Sequence, residues 1–252
     1  MSAERPVSAP RLAGLADGRA LRFVLPRRAL AGQLGERLGA RAGESLEFHD
    51  YRDYAPGDDL RNLDWNVLAR TDREVVRVHR EEIAPVVEIF ADRSPSMDCP
   101  PAKRDAAEHL IGLVTAAADT CRVVERDERA RATPRAIRLF ISDLLFDDDP
   151  ERRLAALGRD AAQVHVVRIL AQEERIPAAG GEVELIDSET GERRALALDA
   201  ATRAAYRAAL DKHTAAWRTA CRRYGATFTD LTAESPVAAR IAALAASGLV
   251  EG

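Results

Sequence analysis

The chain has 252 residues, 46% of them apolar and 31% charged, with a net charge of -4. That length buries one good core and leaves material for a small annex, and the mildly acidic balance excludes a general nucleic-acid binder, which presents a basic face. No stretch approaches the roughly 20 consecutive apolar residues of a bilayer span.

The first 20 or so residues are rich in Ala, Pro and Gly, and their composition predicts loose order. Their charges are scattered with no apolar h-region, so they do not read as a secretory signal. Leu30, Leu34 and Leu38 follow at helical spacing, weakened by Gly32, Gly35 and Gly39, so residues 1–42 read as a tail with a short helix. Residues 43–84 are polar and turn-rich, with strands expected at Ser45–Tyr51 and Glu74–Arg80, which makes them a small β-rich annex.

The pattern changes at Pro85. VVEIFAD is a short apolar run ending in Asp92, the mark of a buried parallel strand. A helix is expected after Pro101, a short strand at Cys121–Glu125, and a buried strand in AIRLFISDLL that ends near Asp143. Pro150 opens another helix, and residues 163–170 form a third apolar strand. Residues 181–198 read as a hairpin turning at Glu189-Thr190-Gly191. A long helix over 199–224, the strand ATFTDL and a helix over 236–246 complete the chain. Strands alternating with helices predict an α/β domain over 85–252, its mostly parallel sheet covered on both faces. The Arg-rich run from Arg122 to Arg138, interleaved with acids, reads as a solvated loop or helix.

In open parallel sheets ligands gather outside the carboxyl ends of the strands. Two such ends carry candidate groups here. Asp92, Ser94 and Ser96 form a D-x-S-x-S that could hold part of an octahedral Mg²⁺ or Mn²⁺ shell, with Asp143 acting directly or through water. The bland reading is that Ser96 or Asp98 merely caps the helix that follows. A second constellation joins Arg52, Tyr54, Asp58, Asp59, Arg61, Asp64, Trp65 and Arg70. Alternating Arg and Asp near aromatics suit bidentate ion pairs. They could form a recognition surface, or a structural network fixing the annex, and the network is the reading taken here. The five histidines lie singly, without H-x-x-x-H spacing, and Cys99, Cys121 and Cys221 form no pair motif. Walker A, G-x-S-x-G and G-x-G-x-x-G motifs do not occur, so no catalytic residues are assigned and no enzyme is expected. A reducing cytoplasm is the expected location.

EFHDYRDYAPGDDLRNLDWNVLARTDREVVRVHREE resembles the signature of the bacterial domain-of-unknown-function 58 family, in which E-F, R-x-Y, P-G-D-D, R-x-x-D-W and A-R precede a von Willebrand factor A-like domain. The likeness runs from about Gly43 to the C-terminus and takes in Asp92 to Met97, Lys103, Ser142-Asp143 and Asp187 to Gly191. It implies a Rossmann-type, von Willebrand A-like sheet with a metal-ion-dependent adhesion site at Asp92, Ser94, Ser96 and Asp143. It also implies an adaptor that works with a MoxR-type AAA+ ATPase and an unknown client. The Gly-Thr loop that completes the adhesion site in relatives is missing; Thr133 is the only threonine in the corresponding connection. A metal-independent scaffold is therefore the alternative, with a metal-dependent hydrolase using Asp92 and Asp143 behind it.

Overall fold

A computed structural model describes residues 7–26, 46–81, 84–127, 131–146, 148–177 and 180–252. The chain divides into two compact units, residues 30–84 and residues 1–29 with 85–252. The helix expected at Leu30–Leu38 lies outside the described residues.

The larger unit is built on five parallel strands: β4 (Val86–Ala91), β5 (Arg122–Arg126), β6 (Ile137–Ser142), β7 (Gln163–Leu170) and β10 (Thr227–Thr232). Their order across the sheet is β10-β7-β6-β4-β5. From β4 the chain steps outward to β5, then returns past β4 to β6, so its winding reverses between β4 and β6. Apolar runs bounded by turns produce these strands; every residue of β6 is buried.

Alternation along the strands divides two cores. Val87, Ile89, Leu139, Ile141, Val167 and Ile169 face α1 (Ala9–Gly18), α3 (Pro101–Ala117) and α7 (Val237–Ala246). Phe90, Phe140, Val164 and Val166 face α4 (Pro150–Gly158) and α6 (Ala200–Arg223), from which Leu154 and Trp217 insert fully buried. On this second face the aromatic rung is flanked by ionic ones. Glu88, fully buried, sits opposite Arg138 in the register and accepts from its Nε at 3.3 Å and from Arg126 Nε at 3.0 Å. Nearer the carboxyl ends, Arg168 pairs with Asp230 through two bonds of 3.0 and 2.6 Å, and Arg175 bonds the same carboxylate. The Arg122–Arg138 run is thus not simply solvated: burying Glu88 required two of its arginines as counter-charges.

The N-terminal expectation is also corrected. Residues 9–18 form α1, which packs closely on α3, and β1 (Arg22–Phe23) pairs antiparallel with β11 (Val250–Glu251). Gly14 and Gly18, in the stretch whose composition predicts loose order, are contact points, as is Gly112 of α3. A Cβ on Gly14 would lie 2.0 Å from the His109 carbonyl oxygen, and one on Gly112 would lie 2.2 Å from that of Arg11. Asp17 and the buried His109 join the two helices across 2.9 Å.

The hairpin falls where its Gly-containing turn predicted. β8 (Glu182–Ile186) and β9 (Arg193–Ala197) pair only with each other, with Val183 opposite Leu196. Asp187 Oδ1 accepts the backbone N–H groups of Glu189 and Thr190, and Gly191 takes the positive φ of +74° that completes the turn.

The smaller unit is an antiparallel pair, β2 (Leu46–Asp53) and β3 (Val75–Glu81), with α2 (Trp65–Thr71) between them in sequence. Buried Asp64 caps α2, accepting from the N–H groups of Asn66 and Val67, while its other oxygen accepts from the Tyr51 hydroxyl at 3.0 Å. Asp58 accepts from Arg52 at 2.9 Å and from the Ala55 N–H at 2.8 Å, which holds the Pro56-Gly57 turn. Asp59 and Arg61 pair at 2.8 Å, but the Arg61 side chain is 89% exposed. Trp65 is 61% exposed, and Leu60 and Tyr51 are exposed as well.

Candidate functional site

The reversal of winding between β4 and β6 opens a cleft outside their carboxyl ends, as doubly wound sheets require. Asp92 leaves β4 with its N–H on the Ile141 carbonyl, so the two strand ends lie side by side. The cleft encloses about 1520 Å³, and Asp92, Ser94, Ser96 and Asp143, the four residues expected to hold a metal, all line it.

Asp92 organises the first loop. Its Oδ1 accepts the Ser94 N–H at 2.8 Å, and its Oδ2 accepts the Ser142 hydroxyl at 2.6 Å. Ser142 in turn accepts the N–H of Leu144, whose φ of +60° turns the chain sharply away from β6. The hydroxyls of Ser94 and Ser96 lie 3.0 Å apart and hydrogen-bond to each other. The loop then winds into a short 3-10 turn, Pro95–Asp98, ahead of α3.

Asp143 belongs to a different arrangement. The Lys103 side chain is fully buried, and its ammonium donates to Asp143 Oδ2 at 2.8 Å and to Glu174 Oε1 at 2.6 Å. Burial alone would lower the Lys103 pKa, but the bonds to the two carboxylates outweigh it and raise it above its ordinary value. Asp143 Oδ1 accepts the Leu145 N–H at 3.0 Å. Glu174, in α5 (Gln172–Arg175) after β7, also accepts the Ala171 N–H at 2.7 Å, and its carbonyl accepts the Tyr206 hydroxyl. Burial, then the nearby Glu174 charge, pushes the Tyr206 phenol up.

This donor set fits a divalent ion poorly as a four-residue shell. The Ser94 and Ser96 hydroxyls bond each other, the Asp92 oxygens accept from the Ser94 N–H and the Ser142 hydroxyl, and the Asp143 carboxylate is paired with an ammonium. Among the described residues no group of three or more His, Cys, Asp or Glu is arranged to hold a metal. Thr133 is engaged elsewhere: its N–H donates to Glu88, its hydroxyl accepts from Arg126, and its carbonyl accepts from Arg138.

Of the site residues, sequence reasoning missed the partnership of Lys103, Glu174 and Tyr206, which joins three separate segments. The available signal for Glu174 was an acidic run, Glu173-Glu174, directly after an apolar strand. The cleft also has a roof, because the β8–β9 hairpin presents Val183, Leu185 and Leu196 to it. At the hairpin turn Glu189 Oε1 accepts the Ser96 N–H at 3.1 Å.

Fold and cleft define a doubly wound α/β protein with a polar site at its topological switch point. The sequence model of the family described as protein of unknown function DUF58 matches residues 50–129 and 121–216, well over half of the chain, and the chain belongs to that family. Neither the curated proteins nor the solved structures searched contain a match. Among the described residues no helix is long and apolar enough to cross a membrane.

Proposed function

We propose that the chain is a von Willebrand A-like protein-binding module that turns over no substrate, with the cleft outside β4 and β6 as its docking face. Following the family resemblance, its partner is a MoxR-type AAA+ ATPase with a client protein. One observation carries the reading: among the described residues the hydroxyls and carboxylates at the two strand ends are bonded to one another, and the serine that does sit on a carboxylate, Ser142 on Asp92 Oδ2 at 2.6 Å, is fully buried and out of a substrate's reach. Ser94 and Ser96 bond each other, Ser142 bonds Asp92, and Asp143 is held by Lys103. A hydroxyl nucleophile needs a base within hydrogen-bond reach. His213 is close to this strand end, but its Nε2 is on the Leu144 carbonyl at 2.8 Å.

The reading is metal-independent. Lys103 supplies a fixed positive charge beside Asp143, where the adhesion-site resemblance would use Mg²⁺ or Mn²⁺ to neutralise it. A fully paired buried ammonium shapes the cleft without an ion. The experiment is capture of partners from native lysate by the intact chain, with and without chelator, identified by mass spectrometry. An AAA+ ATPase recovered equally in both arms supports the proposal. Recovery only without chelator restores the Mg²⁺-dependent site. No ATPase in either arm, with phosphoester or peptide hydrolysis by the purified protein, overturns it in favour of the hydrolase.

A further inference from the structure

We infer that the β8–β9 hairpin is an intramolecular lid, and that Glu189 occupies the Ser96 N–H in place of a carboxylate from the partner. The inference deepens the docking reading above and rests on it. The occupant is an extended partner segment in which a Glu or Asp stands beside apolar residues.

Three features of the hairpin lead here. Among the described residues its strands pair with each other alone, so no ladder ties them to the main sheet. Its apolar side chains face the cleft without being covered: Leu185 is 50% exposed and Leu196 38% exposed. Side chains of this kind gain by packing against an incoming apolar segment. Finally, its turn reaches the D-x-S-x-S loop through a single charge-assisted bond, Glu189 Oε1 to the Ser96 N–H. That bond shows which chemistry the loop accepts, since the chain itself has placed a carboxylate there. The turn does not need the Glu189 side chain for its own shape. Asp187 closes it by accepting two backbone N–H groups, and Leu198 N–H to the Gly181 carbonyl closes the base.

A self-ligand competes with a partner in proportion to the fraction of molecules it holds closed. Losing one hydrogen bond to a charged group shifts such an equilibrium by about tenfold. The test uses the full chain, its Glu189→Ala variant, and a peptide with the sequence of residues 185–192. Amide exchange by NMR should show the Ser96 N–H exchanging about tenfold faster in Glu189→Ala than in the parent. The peptide should bind Glu189→Ala about tenfold more tightly than the parent, and a Glu189→Gln peptide should bind neither. Unchanged Ser96 exchange, equal peptide affinity for both proteins, or binding to neither, overturns the lid. Failure of the docking reading looks different. If exchange and peptide results hold while Glu189→Ala captures no ATPase from lysate, the lid stands and the adaptor assignment falls.

Discussion

The annex and the α/β unit differ in how deeply they bury their ion pairs. In the annex, which carries the densest motif of the sequence, two of the ion pairs are wet: Asp59 bonds Arg61 two residues away, and Arg73 bonds Asp53 with both side chains largely exposed. The α/β unit has exposed pairs too, such as Arg194 with Glu192, but it adds long-range pairs with at least one fully buried partner, joining Glu88 to Arg138, Lys103 to Asp143 and Arg168 to Asp230. Exposed pairs gain little because water competes for both partners, whereas a buried charge stripped of its partner is costly. Density of a motif therefore does not rank its residues by energetic weight.

The largest effect should come from the Glu88 network. Arg138→Ala leaves the fully buried Glu88 carboxylate short of a counter-charge and removes bonds to the Leu157, Arg159 and Thr133 carbonyls. We expect a loss of about 3–5 kcal/mol in urea unfolding. A loss below about 1 kcal/mol would break the contrast between the two regions. The same network sets a pH dependence. Burial alone would raise the Glu88 carboxyl, but bonds from Thr133 and Arg126 hold it below its ordinary value. A carboxyl depressed in the folded state contributes stability above its unfolded pKa, and that stability is lost as pH falls through the folded one. The parent should therefore lose stability below about pH 4 more steeply than Glu88→Gln, measured by urea midpoints across pH.

Lys103→Ala tests the same principle at the cleft. It leaves Asp143 and Glu174 facing an unfilled cation position, and we expect it to destabilise by about 3 kcal/mol, near the lower end for a broken buried pair. Two carboxylates freed together attract a hard cation. Millimolar Mg²⁺ or Mn²⁺ should accordingly raise the melting temperature of the variant and leave the parent unchanged. A clear rise in the parent instead would return the cleft to ion-dependent binding.

The central strands were legible because they are short apolar runs: VVEIFA runs from Pro85 to Asp92, and 163–170 appears as a strand with the expected bounds. The hairpin was legible for the same reason, in its alternation and its Gly191 turn. Gly14 and Gly18 misled because composition does not distinguish a glycine that loosens a chain from one that lets two helices touch. The candidate site was half legible. Asp92, Ser94, Ser96 and Asp143 do gather at one strand-end cleft. The ammonium that claims Asp143 comes from a helix 40 residues earlier, and no local pattern reports such a pairing.

A smaller effect is expected at Asp64, a buried charge of the annex motif. Asp64→Ala removes the α2 cap and the Tyr51 bond together. Cap loss costs about 1 kcal/mol, with up to about 1.5 more for the second bond. If residues 30–84 unfold independently of the rest, calorimetry should show this loss in one transition only.

The smallest effect should be at Arg61, although it stands at the centre of the motif. Its guanidinium meets Asp59 through three bonds, which raise its pKa and lower that of Asp59, yet the side chain lies almost wholly in water. Asp59 also accepts the Arg61 backbone N–H, a contact that survives when the side chain is removed. The turn is further secured by Asp58, which keeps its bonds to Arg52 and the Ala55 N–H. Arg61→Ala should therefore leave the urea midpoint of the chain where it is, at low and at high salt. If it does so while Asp64→Ala does not, the motif divides into a structural part and an exposed part. The exposed part, Arg61 with Trp65 and Leu60, is then free to serve recognition. A clear drop on Arg61→Ala would instead make the motif one cooperative network and erase the distinction between wet and dry pairs in this chain.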